Sequence, residues 1–177
     1  MRLRVSVFLF GMLCCTGTVM LQAQQQPVQA EAPKYVEISE RLGAGGQPTD
    51  EGFRALAEKG YQAVINLRLD SEKYDAAGEE KLVSSLGLKY FKIPVPGRSP
   101  SEEQALEFLK IMDDLKGQKV FIHCTIGVRA GAFVLMDLVL KEGMDQSKAE
   151  EFAARVGLTS ETLLQFARQV IEHQKGK

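Results

Sequence analysis

Five short apolar runs, at residues 35–38, 42–45, 63–67, 88–93 and 119–123, alternate with stretches whose apolar residues recur at helical spacing, and glycines punctuate the joins. Strand-like runs separated by helical patterns are the signature of βαβ units. Thr49 is placed to cap a helix through Phe53, Leu56 and Ala57 that Gly60 stops, and Gly87 closes a second over 76–86. Pro100-Ser101-Glu102-Glu103-Gln104 opens a third as a capping box, with apolar positions 105, 108, 109, 112 and 115 on one face and Gly117 at its end. Helical spacing resumes from Arg129 to Leu140, with Gly143 as its stop. Two more helices are expected, one from Ser147 with Glu150 completing a capping box, the other from Thr159 or Ser160. They carry Phe152, Val156, Leu163, Phe166 and Val170 inward as plain core. The expected fold is α/β: a mainly parallel central sheet flanked by helices, with extra C-terminal helices. Ligands of such sheets bind beyond the carboxyl ends of the strands, and Cys124 falls at one of those ends.

The 177 residues are 45% hydrophobic and 25% charged, enough apolar material for one core, expected at 34–174. Ahead of it, Arg2 and Arg4 precede an apolar run from Val5 to Leu13, and Leu-Gln-Ala at 21–23 resembles a processing site, so residues 1–23 read as a secretory signal and the protein as exported, periplasmic or secreted. A membrane span needs ~20 apolar residues, and Thr16, Gly17 and Thr18 interrupt this stretch, so no stable membrane association is expected after cleavage. A lipid anchor on Cys14 or Cys15 is disfavoured because no small residue occupies position 13 or 14 ahead of Cys15. Residues 24–33, QQQPVQAEAP, read as a flexible leader. Without residues 1–23 the chain keeps 20 Lys and Arg against 23 Asp and Glu and no basic block, which argues against nucleic acid as a partner.

Of the three cysteines only Cys124 survives that cleavage, without an intramolecular partner. An exported protein keeps a lone thiol as a buried apolar filler or for its chemistry, and the neighbours decide. In KVFIHCTIGVRAG a hydrophobic strand stops, a loop containing Gly127 follows, and a helix starts. Backbone N–H groups and the positive helix end converge there on one point that attracts anions. Arg129 on the first helical turn adds a planar fork for oxyanions, and the same field favours the thiolate, the nucleophilic form of cysteine. His123 is expected to orient the loop by hydrogen bonding to backbone or to tune Cys124 through its charge.

HCTIGVR resembles the phosphate-binding loop of cysteine-dependent protein tyrosine and dual-specificity phosphatases, His-Cys-x-x-Gly-x-x-Arg. GQPT at 46–49, FRALAEKGYQAVINLR and LGLKYFKIPV are similar to a bacterial phosphatase-like group found fused to β-lactamase-fold or NAD-kinase-like domains, over about residues 35–140. The resemblance implies a phosphorylated or other oxyanionic substrate, no metal or other cofactor, and attack by Cys124 on phosphorus to give a phosphocysteine that water hydrolyses. The amides of Thr125, Ile126, Gly127 and Val128 and the fork of Arg129 would hold the equatorial oxygens. Arg68, at a strand end facing the same side, is expected either to assist anion binding or to form a surface ion pair.

Three features depart from that pattern. Cys124 and Arg129 are separated by four residues instead of five, the spacing of rhodanese-type sulfurtransferases, whose smaller loop suits a persulfide on cysteine. The loop IPVPGRSPSEE lacks the Asp that phosphatases use as general acid. Asp70 or Asp75 would then approach from the loop after residue 68, whereas Glu102 and Glu103 read as helix-end charges. Ala130 stands where a Ser or Thr usually stabilises the leaving thiolate. Three functions follow: a cysteine-dependent phosphatase-like hydrolase, a sulfurtransferase on the same cysteine, or a binding module that holds anions without turnover.

Overall fold

The computed structural model describes residues 32–177, so the expected signal at 1–23 and the first eight residues of the leader lie outside the described residues. The leader's last two residues belong to the packed part. Ala32 is buried, and the Pro33 carbonyl accepts from the Gly46 amide at 2.6 Å.

The elements in chain order are β1 (Val36–Glu37), β2 (Leu42–Gly45), α1 (Asp50–Glu58), β3 (Ala63–Asn66), α2 (Ala76–Ser85), β4 (Lys89–Lys92), α3 (Glu102–Asp114), β5 (Val120–His123), α4 (Val128–Leu140), α5 (Gln146–Val156) and α6 (Glu161–Lys175). The strands form one sheet in the order β1-β2-β5-β3-β4. β1 is antiparallel to β2, and every other pairing is parallel. The α/β sheet read from the sequence is therefore present, and the last strand is its centre. β5 lies between β2 and β3, with His123 level with Gly45 on one side and Asn66 on the other.

Strand alternation divides the core between the two faces. Phe121 points to the face covered by α1 and α2, where it packs with Phe53, Leu56, Val64 and Val83. Val120 and Ile122 point to the opposite face, against α3, α4, α5 and α6. Helix α4 is buried continuously from Ala130 to Val139, as expected of a helix apolar on all sides.

The helix ends follow the sequence with one correction. Thr49, Ser101 and Ser160 cap α1, α3 and α6, and Ser101 and Gln104 close the capping box. Helix α5, however, is capped by Asp145 and not by Ser147. The Asp145 carboxylate accepts the amides of Ser147 and Lys148 at 3.0 and 3.3 Å, and a carboxylate satisfies the positive helix end better than a hydroxyl. Glu150 is thereby freed to grip Arg168 of α6 through two contacts of 2.8 Å, tying the last two helices together.

Candidate functional site

The loop after β5 is anchored by the strands on both sides. The Cys124 amide donates to Gly45 O at 3.4 Å, Gln47 N to Thr125 O at 3.1 Å, and Leu67 N to His123 O at 2.9 Å. Gly127, the residue before α4, adopts φ 92°, ψ −15°, and turns its amide back onto the Cys124 sulfur at 3.2 Å. An N–H aimed at sulfur beside a helix N-terminus stabilises negative charge there. Cys124 is 1% exposed.

Glycine is required at position 127 twice over. Left-handed backbone disfavours any β-carbon, and one placed here would lie 2.1 Å from the Val156 carbonyl oxygen at the end of α5. Gly127→Ala is expected to destabilise the fold by ~3 kcal/mol or more. It should also slow alkylation of Cys124 by iodoacetamide under native conditions, because the amide no longer meets the sulfur. Urea unfolding and timed alkylation check the two effects separately.

Arg129 lies on the first turn of α4, and its guanidinium is pinned on several sides. Nη1 donates to Leu67 O at 3.0 Å, Val95 O at 3.1 Å and Glu72 Oε1 at 2.5 Å, while Nη2 donates to Glu72 Oε2 and Thr125 Oγ1, each at 3.0 Å. Burial opposes its charge, but Glu72 and the adjoining Cys124 sulfur more than offset that. Glu72 is the node of the site. It also accepts from the Thr125 hydroxyl, from Arg68 Nε at 3.1 Å and from the Leu69 amide at 2.9 Å. Burial alone would raise its carboxyl, yet the hydrogen bonds from Arg129, Thr125 and Leu69 hold it well below the usual carboxylate range.

Two expected site residues are placed differently. His123 is fully buried but makes no hydrogen bond to the loop backbone. Its ring stacks on Phe121 and meets Phe53 edge-on, and Nε2 lies 3.3 Å from Glu79 Oε1, close enough for an ion contact but out of line for a directed hydrogen bond. The reason is the period of a strand: one residue before Cys124, His123 faces the opposite side of the sheet. Arg68 does not face the cysteine either. Its guanidinium is committed to Glu72, to Gln47 Oε1 at 2.7 Å and to the Lys73 carbonyl, stacked on Tyr74 at 3.8 Å. It acts on the site through Glu72.

Both belong to a buried polar cluster on the α1/α2 side. Glu79 accepts from Asn66 Nδ2 at 2.7 Å, the Tyr90 hydroxyl at 2.8 Å and Gln47 Nε2 at 2.5 Å. Burial would raise the Glu79 carboxyl, but His123, Gln47 and Tyr90 hold it below its ordinary value. Burial and the charge of Glu79 push the Tyr90 phenol upward, so it remains a protonated donor. The same Asn66 accepts the Arg68 amide at 2.8 Å, which fixes the chain as it leaves β3.

Cys124, Thr125, Ile126, Val128 and Arg129 line one open cleft of about 430 Å³, closed by Leu69 and Glu72, by Gly97, and by Ser160 and Leu163 at the start of α6. Ile126 stands 56% exposed at its rim. Neither acid expected from the 69–75 loop reaches it: Asp70 pairs outward with Lys92, and Asp75 caps α2. Glu102 is bound to His173 at 2.6 Å. Sequence reasoning passed over Glu72, although it shares a short loop with the two acids it considered. It also took Leu163 as core only.

Comparison with known proteins places this geometry. A family model described as DSP-PTPase phosphatase fused to NAD+ kinase matches residues 20–174. A beta-lactamase hydrolase-like protein of Xylella fastidiosa (strain Temecula1) is 33% identical over 120 residues, 66% of this chain but only 28% of the length of that relative. A DUF442 protein of Shewanella putrefaciens CN-32 superposes with TM-score 0.69 at 27% identity, over 80% of this chain and 90% of its own. Tk-PTP in its active form superposes with TM-score 0.67 at 23% identity, over 79% of this chain and 97% of its own, a likeness of fold. With the cysteine loop, the mostly parallel sheet and a match over most of its length, the chain belongs to the family of DSP-PTPase phosphatases fused to NAD+ kinase.

Proposed function

We propose that the protein is a cysteine-dependent phosphatase that works through a phosphocysteine on Cys124. The observation that carries this reading is the convergence on one sulfur of the Gly127 amide, the start of α4 and the fixed guanidinium of Arg129. Such a point lowers the energy of a thiolate and of the trigonal phosphoryl group passing over it. Cys124 attacks phosphorus, the loop and Arg129 hold the equatorial oxygens, and water releases phosphate. Export, proposed from residues 1–23, belongs to the same reading.

A second reading rests on the four-residue spacing between Cys124 and Arg129. A loop one residue shorter than the phosphatase pattern suits a persulfide, and the enzyme would then carry sulfane sulfur on Cys124. One panel separates the two. Purified from an exported preparation, the protein should lack residues 1–23 by intact mass. It should release phosphate from aryl phosphate, phosphotyrosine peptide or inositol phosphate, with inhibition by vanadate. Thiocyanate from thiosulfate and cyanide, or a gain of one sulfur on Cys124 without phosphate release, would replace the first reading with the second.

A further inference from the structure

Gln47 stands between two polar clusters. Its backbone amide donates to Thr125 O at 3.1 Å, which fixes its main chain against the cysteine loop. Its side chain points away from that loop and lines a cleft of about 240 Å³ on the α1/α2 side with Phe53, Tyr74 and Glu79. There Oε1 accepts from Arg68 Nη1 at 2.7 Å, while Nε2 donates to Glu79 Oε2 at 2.5 Å and to Pro48 O at 3.3 Å. Arg68 passes the contact on through Nε to Glu72, which holds both ends of the Arg129 fork. An unbroken chain of hydrogen bonds therefore runs from Glu79, on the far side of the sheet, to the guanidinium beside Cys124.

An amide suits this place because it offers an acceptor to a cation at one end and a donor to a carboxylate at the other. Glu79 decides which end is which. Its Oε1 is taken by Asn66 and Tyr90 and its Oε2 faces Gln47, so the carboxylate draws Nε2 toward itself and leaves Oε1 for Arg68. The opposite orientation would set the amide donors against a buried guanidinium, which has donors only. Resting on the phosphatase reading above, we propose that Gln47 is a positioning residue for the reaction: oriented by Glu79, it fixes Arg68, and through Glu72 it fixes the Arg129 fork that receives the phosphoryl oxygens. Gln47 does not line the cleft around Cys124, so its effect on chemistry has to travel through Arg68.

The test is a pair of double-mutant cycles with two readouts at pH 8. One is kcat/KM on 4-nitrophenyl phosphate; the other is the rate of Cys124 alkylation by iodoacetate divided by that by iodoacetamide, because only the anionic reagent is drawn by the Arg129 charge. Gln47→Leu keeps the backbone contact and should lower both, kcat/KM by about tenfold, short of the ~10²-fold of a 1 Å misplacement. In an Arg68→Met background, where the chain is already cut, the same substitution should move either readout by less than about twofold. An equal fall in both backgrounds, or no fall from wild type, overturns the inference and leaves the phosphatase intact. The second cycle also decides the case in which Gln47→Leu does not fold. Gln47→Glu sets two carboxylates against each other and should fall several-fold, whereas adding Glu79→Gln lets amide and carboxylate change places, re-forms the contact and recovers most of the loss. A double variant no better than Gln47→Glu overturns the inference. Wild type that releases no phosphate overturns the phosphatase reading instead, and the alkylation ratio still judges the role of Gln47.

Discussion

Cys124→Ser is expected to lower turnover by at least ~10⁴-fold while leaving the protein folded. A hydroxyl is a weak nucleophile at neutral pH, and the site holds no base against Cys124 to activate it: His123 faces the other side of the sheet, and Glu72 is occupied by Arg129. The fold should tolerate the change because serine is nearly isosteric and its oxygen can still accept the Gly127 amide that now meets sulfur. Stability in urea should move by no more than ~1 kcal/mol. Vanadate should still bind, since Arg129 and the loop amides are untouched. Turnover that survives the substitution would show that the sulfur is not the nucleophile and would overturn the phosphocysteine and persulfide readings together.

Glu72→Gln is the second large effect, and it separates positioning from chemistry. Glu72 does not attack or protonate anything in the proposed reaction. It holds Nη1 and Nη2 of Arg129 in place, and misplacing such a group by about 1 Å costs ~10²-fold. A fall in kcat/KM of that order is expected, with weaker vanadate binding, whereas Glu72→Asp should recover part of it. Stability should drop by ~2–4 kcal/mol at neutral pH, because both partners are mostly buried and the variant strands the guanidinium.

The pH dependence gives an independent check. The folded-state carboxyl titrates below the unfolded value of 4.5, so the stability it contributes is fully present above pH 4.5 and is lost as pH falls below it. The difference between wild type and Glu72→Gln should therefore be largest near pH 7 and shrink on acidification. A gap in urea midpoints that stays constant from pH 7 to pH 3 would deny Glu72 its charged role.

The order of strands and helices was legible because each element announces its own period and its own stop. Gly60, Gly87 and Gly117 end α1, α2 and α3 with left-handed backbone, as their positions after apolar stretches suggested. The cysteine loop was legible for the same reason: Cys124, Gly127 and Arg129 belong to one strand-loop-helix, so their relation is local. The misreadings came from competition at one position. Ser147 looked like a cap, but Asp145 offered the helix end a charge, and Glu150 found a better partner in Arg168. His123 was expected to orient the cysteine loop or tune Cys124 because it is adjacent, but in a strand adjacent residues face opposite ways.

By itself, then, the sequence determined a βαβ chain, a thiol at a strand end and a guanidinium one helical turn beyond it. Tertiary structure decided what surrounds them. It placed β5 at the centre of the sheet and brought Glu72 to Arg129 across 57 residues. It folded the start of α6 over the cleft and turned Asp70 and Asp75 away from it. The division has a physical cause. Helix, strand and turn preferences act over a few neighbouring residues, whereas which carboxylate meets which guanidinium depends on how whole elements pack to bury their apolar faces, and no local pattern encodes that choice.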